Sequence, residues 1–172
     1  MSTGSELFIR DGKRATRDWT VLADDAPLPS SGKVLVSLAR WRKDAAALAT
    51  GGLSIGVVIP NTEDVTAAWP EIKDRPVLAL HWPAVGDGRA YSQARLLRER
   101  FGFKGELRAT GEVTRDLLQL MHRCGINAFE LRADQDIEDC LRAFNDFSIA
   151  YQNPTGSLPN VWDVRRAQSA QA

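Results

Sequence analysis

Two stretches decide how this chain is read: Glu106–Val113, ELRATGEV, and Glu130–Ile137, ELRADQDI. The letters Glu-Leu-Arg-Ala occur twice, at an offset of 130 minus 106, or 24 residues. In an extended strand alternate side chains share a face, so Glu106, Arg108 and Thr110 lie on one side and Leu107 and Ala109 on the other. In the second copy Glu130 and Arg132 oppose Phe129 and Leu131. The likeness continues into the helical pattern that follows, where Val113 matches Ile137 and Leu117 matches Leu141. The copies therefore read as equivalent positions in successive βα units.

Working outward, the same rhythm fills the body of the chain. VLVSL precedes ARWRKDAAALAT, SIGVVIP precedes TEDVTAAW, and VLALHW precedes AYSQARLLRERF. GELRA then leads into GEVTRDLLQLMHRC, AFELR into DIEDCLRAF, and SIAYQ closes the series. Gly51, Gly102 and Gly125 fall where helices should stop, and Thr110 and Asp134 are expected N-caps. Strand starts near Val34, Ile55, Val77, Gly105, Ala128 and Ser148 are spaced for parallel strands joined by helices. A parallel strand covered on both faces reads as continuous apolar residues, whereas these alternate. One polar sheet face points to a half-barrel or partial barrel of βα units. A two-residue stagger is expected to set Arg108 beside Glu130, because unstaggered copies would oppose like charges.

Upstream, Asp11-Gly12 within LFIRDGKRATRDWTVL predicts an N-terminal β-hairpin. Asp24–Gly32, DDAPLPSSG, reads as a connector. The expected organisation is a hairpin arm and connector over 1–32, a βα-repeat body over 33–152 and a C-terminal tail over 153–172.

Lys plus Arg total 22 and Asp plus Glu total 22, so no charge excess favours nucleic acid or an anionic membrane. No apolar run approaches the roughly 20 residues of a membrane span, and the first residues lack a signal peptide's apolar core. A cytoplasmic protein is expected. Cys124 and Cys140 fall on apolar helix stripes and read as packing residues. No cysteine or histidine spacing suits a metal, and no glycine-rich phosphate loop is present, so no cofactor is evident.

The candidate site comes from strand ends, where βα folds gather ligand groups. His81 ends one strand, and the following loop brings Asp87, Arg89 and Ser92 to a helix start. Arg108 and Arg132 come near the ends of the next two strands, with Glu106 and Glu130 beside them. Three arginines near helix N-termini suit a small anion or a partner's acidic group. The alternative is that the Glu/Arg pairs form a structural ladder and His81 packs in the core.

The stretch DGRAYSQARLLRERFGFKGELRATGEVTRDLLQLMHRCGINAF, Asp87–Phe129, with GVVIP, VLALHWP and the later AYQ, resembles an uncharacterised bacterial family described as a probable oxidoreductase involved in sulfite reduction. The resemblance singles out Asp87, Gly88, Arg89, Ser92, Arg95, Arg98, Gly105, Glu106, Arg108, Gly111, Asp116, Arg123 and Gly125. His81 stands where such proteins often carry Phe. Members are typically encoded beside assimilatory sulfite and sulfate reduction genes, which implies a part in supplying sulfide for cysteine. Because electron transfer needs a cofactor and the chain displays no motif for one, the expected role is an accessory or electron-delivery partner of a cofactor-bearing sulfite reductase or another sulfate-assimilation enzyme. An enzyme acting on a small anionic metabolite at the arginine-rich strand ends, with Asp87 or Glu106 moving the proton, is the alternative. A structural assembly subunit is a third.

Overall fold

The computed structural model describes residues 7–50, 52–149, 151, 155 and 159–170. Eight strands form one sheet. They are β1 (Phe8–Arg10), β2 (Lys13–Arg14), β3 (Thr20–Val21), β4 (Ser31–Ser37), β5 (Gly52–Ile59), β6 (Val77–Trp82), β7 (Glu106–Gly111) and β8 (Ala128–Glu130). Their order is β2-β1-β8-β7-β6-β5-β4-β3. From β3 to β8 every neighbour is parallel, and β1 joins β8 antiparallel. The helices α1 (Leu38–Thr50), α2 (Val65–Ile72), α3 (Arg89–Arg95), α4 (Arg115–Arg123) and α5 (Ile137–Ala143) follow successive strands, and α6 (Val161–Ser169) comes last.

The hairpin forms at Asp11-Gly12, both with positive φ (51° and 72°), as a tight turn between right-twisted strands requires. It leaves β2 and β3 at opposite ends of the sheet, linked only by residues 15–19. Seven strand spacings of about 4.8 Å would separate those edges by about 34 Å in a flat sheet, whereas six residue steps reach at most about 21 Å. The sheet therefore curls into a half-barrel, and the linker crosses its open side as a strap.

Alternation sorts the side chains as the repeat predicted. Leu107, Ala109, Phe129 and Leu131 join the main core under the helices, with Leu78, Leu80, Val57 and Ile59 from neighbouring strands. On the opposite face a small second core of Trp19, Leu35 and Val77 lies beneath the strap. At roughly 25 cal/mol per Å², removal of such apolar surface from water is the main force holding these layers.

Several local expectations change. The sixth parallel strand is β3, from the end of the stretch read as the N-terminal hairpin, and not a strand at Ser148. There Ser148 and Ile149 form an exposed bend, while Ala150 and Gln152 lie outside the described residues. The place beside β8 is taken by β1. The stagger of β7 on β8 is larger than two residues: Arg108 faces Ala128, an offset of 20 against the unstaggered 24, so the shift is four. Thr110 lies within β7 and Thr114 takes the N-cap position of α4. Asp136, not Asp134, caps α5, accepting from the Asp139 amide. Cys124 and Cys140 are buried free thiols in the main core.

Candidate functional site

The polar face of the sheet and the strap enclose a chain of ion pairs. Arg108 is fully buried, and its Nε donates to Glu106 Oε1 at 2.7 Å. The other Glu106 oxygen lies 2.7 Å from Arg10 Nε. Arg10 Nη2 in turn donates to Asp18 Oδ1 at 2.7 Å, and Lys33 Nζ donates to Asp18 Oδ2 at 2.9 Å. Arg17 Nη1 reaches Glu130 Oε1 at 3.1 Å. The Arg108 guanidinium also lies 4.7 Å from the centre of the Phe8 ring, a cation–π arrangement across β8. Burial opposes ionisation of Asp18, but the hydrogen bonds from Lys33 and Arg10 outweigh it and lower its pKa to about 2.

Local sequence explains why these groups meet. Glu106, Arg108 and Glu130 are on the polar side by strand alternation, and the antiparallel register sets Phe8 opposite Glu130 and Arg10 opposite Ala128. Trp19 anchors the strap by seating against Leu35 and Val77. Arg17 and Asp18, two positions and one position earlier, are thereby held over the sheet. Sequence reasoning missed Arg10, Arg17 and Asp18, because it placed them in an arm, and Lys33, at the start of the body, with them. The available signal was Arg17-Asp18-Trp19, a charged pair next to a large apolar residue in a stretch too short to cross a flat sheet.

The remaining expected site residues lie elsewhere. Arg89 is exposed at the start of α3 and forks onto Asp87, with Nη2 to Oδ2 at 2.6 Å and Nε to Oδ1 at 3.0 Å. Asn61 Nδ2 adds a bond to the same carboxylate at 2.6 Å. The side-chain hydrogen bond from Arg89 is the largest of the influences that lower the Asp87 pKa to about 2. Arg132 is held by Glu112 at 2.6 Å and Asp134 at 2.7 Å, and its hydrogen bond to Asp134 is the main cause of its raised pKa. Ser92 is exposed on α3, and His81 is exposed with Nδ1 3.4 Å from Thr110 Oγ1. Among the described residues Arg89, Arg108 and Arg132 share no carboxylate partner.

Several residues singled out by the resemblance are structural. Arg98 follows α3 in a π-helical turn, Leu96–Arg100. It donates to the carbonyls of Gly125 (2.8 Å), Phe103 (2.6 Å) and Gly105 (2.9 Å) and to Asn127 Oδ1 (3.0 Å). One side chain thus ties the entry of β7 to the loop before β8. Gly111 has φ +90°, and a Cβ there would meet the Trp82 carbonyl oxygen and the His81 ring. Among the described residues no group of histidines, cysteines and carboxylates is arranged to hold a metal ion.

A model of a bacterial protein family of unknown function, DUF934, matches residues 56–162. That span covers 107 of the 172 residues (162 − 56 + 1), including β6, β7, α4, β8 and α5. No curated protein and no solved structure matches the chain.

Proposed function

The chain belongs to the DUF934 family, and we propose that it acts in sulfite reduction as an accessory protein that docks on a cofactor-bearing reductase. The observation that carries this reading is the distribution of exposed apolar groups. Phe147 (63% exposed), Ile149 (43%), Tyr151 (75%) and Trp162 (50%) all follow α5, so four of the seven large apolar side chains left in water among the described residues lie in the last part of the chain. Helix α6 buries none of its residues. Exposed aromatic groups of this kind supply the anchor residues of protein interfaces. The resemblance of Asp87–Phe129 to proteins described by sulfite reduction supplies the partner class, and the redox chemistry stays with the reductase's own cofactor.

The test is affinity capture from cells growing on sulfate, with the reductase measured in the eluate. Capture of the reductase by the parent protein, and its loss on Tyr151→Ser with Trp162→Ser at unchanged melting temperature, is expected. Absence of the reductase from the eluate, together with normal growth of a deletion strain without cysteine, would overturn the reading.

A further inference from the structure

Three polar atoms on the strapped face have no hydrogen-bond partner among the described residues although solvent does not reach them: Arg108 Nη1, Arg17 Nε and Glu130 Oε2. Buried polar atoms are nearly always paired, so a group of them marks a place where something is bound. The three belong together. Arg17 and Glu130 are already joined by an ion pair at 3.1 Å. Glu130 faces Phe8 across the β1–β8 ladder, and the Arg108 guanidinium lies over that same Phe8 ring. Among the described residues the ion-paired cluster on this face has four cations, Arg10, Arg17, Lys33 and Arg108, against three carboxylates, Asp18, Glu106 and Glu130. Glu106 is divided between Arg108 and Arg10, and Asp18 between Arg10 and Lys33.

We propose that the strapped face holds a small, singly charged oxyanion that still bears a hydroxyl hydrogen, bound between Arg108, Arg17 and Glu130. The two arginine nitrogens supply N–H donors to its oxygens, and Glu130 Oε2 accepts a hydrogen from its hydroxyl. A singly charged anion brings the cluster to neutrality. Inorganic phosphate at mildly acidic pH and bicarbonate near neutral pH have this chemistry, whereas a fully deprotonated sulfate offers Glu130 no hydrogen. The site lies inside the half-barrel and owes nothing to the exposed apolar residues after α5, so it stands independently of the docking reading.

The experiment is thermal melting and calorimetric titration of the full chain with sodium phosphate, bicarbonate, sulfate and chloride at constant ionic strength. Saturable stabilisation by phosphate at pH 6 or bicarbonate at pH 7.5, at one ion per chain and stronger than that by sulfate, is expected. Arg17→Gln removes the cation paired with Glu130, so it should lower the anion-free melting temperature modestly and, in the folded variant, weaken that binding by about tenfold, the scale of one charge-assisted hydrogen bond. Arg108→Lys tests the buried side, and Arg132→Gln, whose partners lie elsewhere, should bind as the parent does. Absence of a saturable effect in the parent would overturn the proposal and assign the three atoms to water. An effect equally large in folded Arg17→Gln, or equal for sulfate and chloride, would overturn it too.

Discussion

Arg98 and Arg108 use the same guanidinium for different tasks, and their surroundings predict different losses. Arg98 serves three carbonyls and one amide oxygen, so Arg98→Ala takes a donor from three carbonyls, while Asn127 Oδ1 keeps only the Leu107 amide. A loss of about 3 kcal/mol in urea unfolding is expected, with only partial recovery in Arg98→Lys because an ammonium cannot fork across the same acceptors. Arg108 is held by a carboxylate, and Glu106→Gln strands it as a buried charge. That substitution should cost about 3 to 4 kcal/mol, whereas Glu106→Leu combined with Arg108→Met should cost clearly less, since removing both charges removes the desolvation penalty. Equal losses in the single and double variants would show that the pair is not acting as one unit. The thiols give a third check: burial pushes Cys140 to about 11 and raises Cys124 as well. Both should resist a thiol reagent at pH 8 in the native protein and react on unfolding, and Cys→Ser at either should lower stability.

At the strap, pH acts through Asp18. Asp18 has a folded pKa of about 2 against an ordinary value of 3.8. A carboxyl lowered on folding contributes stability that is complete above its unfolded pKa and is lost as pH falls through its folded one. The strap's contribution should therefore be intact above about pH 4 and disappear toward about pH 2. Fluorescence of Trp19, taken as the difference between the parent and Trp19→Phe, would report this, and Asp18→Asn should abolish that acid limb. The β7–β8 ladder shows how far alternation alone carries an element. Alternation assigned the faces of Glu106, Leu107, Arg108 and Leu131 correctly, because the period of two belongs to the backbone. It could not set the four-residue stagger, since neighbouring strands slide according to how the whole sheet curls and what lies across it.

For the whole molecule, the length of the strap follows from closure. Six steps from Arg14 to Thr20 must join the two ends of an eight-stranded sheet, which predicts an asymmetry between shortening and lengthening. Deleting Thr16 and one neighbour should prevent stable folding, because the edges can approach no further without breaking β3 from β4. Inserting four Gly/Ser residues at exposed Thr16 should cost only about 1 kcal/mol, the weak logarithmic penalty of a longer loop. Circular dichroism and urea unfolding of both variants would decide the matter, and equal tolerance would refute strap-imposed curvature.

The sequence by itself determined the parts written locally: the Asp11-Gly12 turn, the βα alternation, the polar and apolar sides of each strand, and the buried thiols. Each depends on backbone periodicity or on the conformational preference of one or two residues. Only the tertiary structure decided that β3 is the sixth parallel strand, that β1 occupies the place beside β8, and that residues 15–19 cover the polar face. It also decided that Glu106 is divided between Arg108 and Arg10, while Arg89 and Arg132 keep their own carboxylates. The β1–β8 pairing and the Arg10–Glu106 contact join residues about a hundred positions apart, and their physical origin is the closure of a short linker across a curled sheet, a global constraint that no local pattern in the chain expresses.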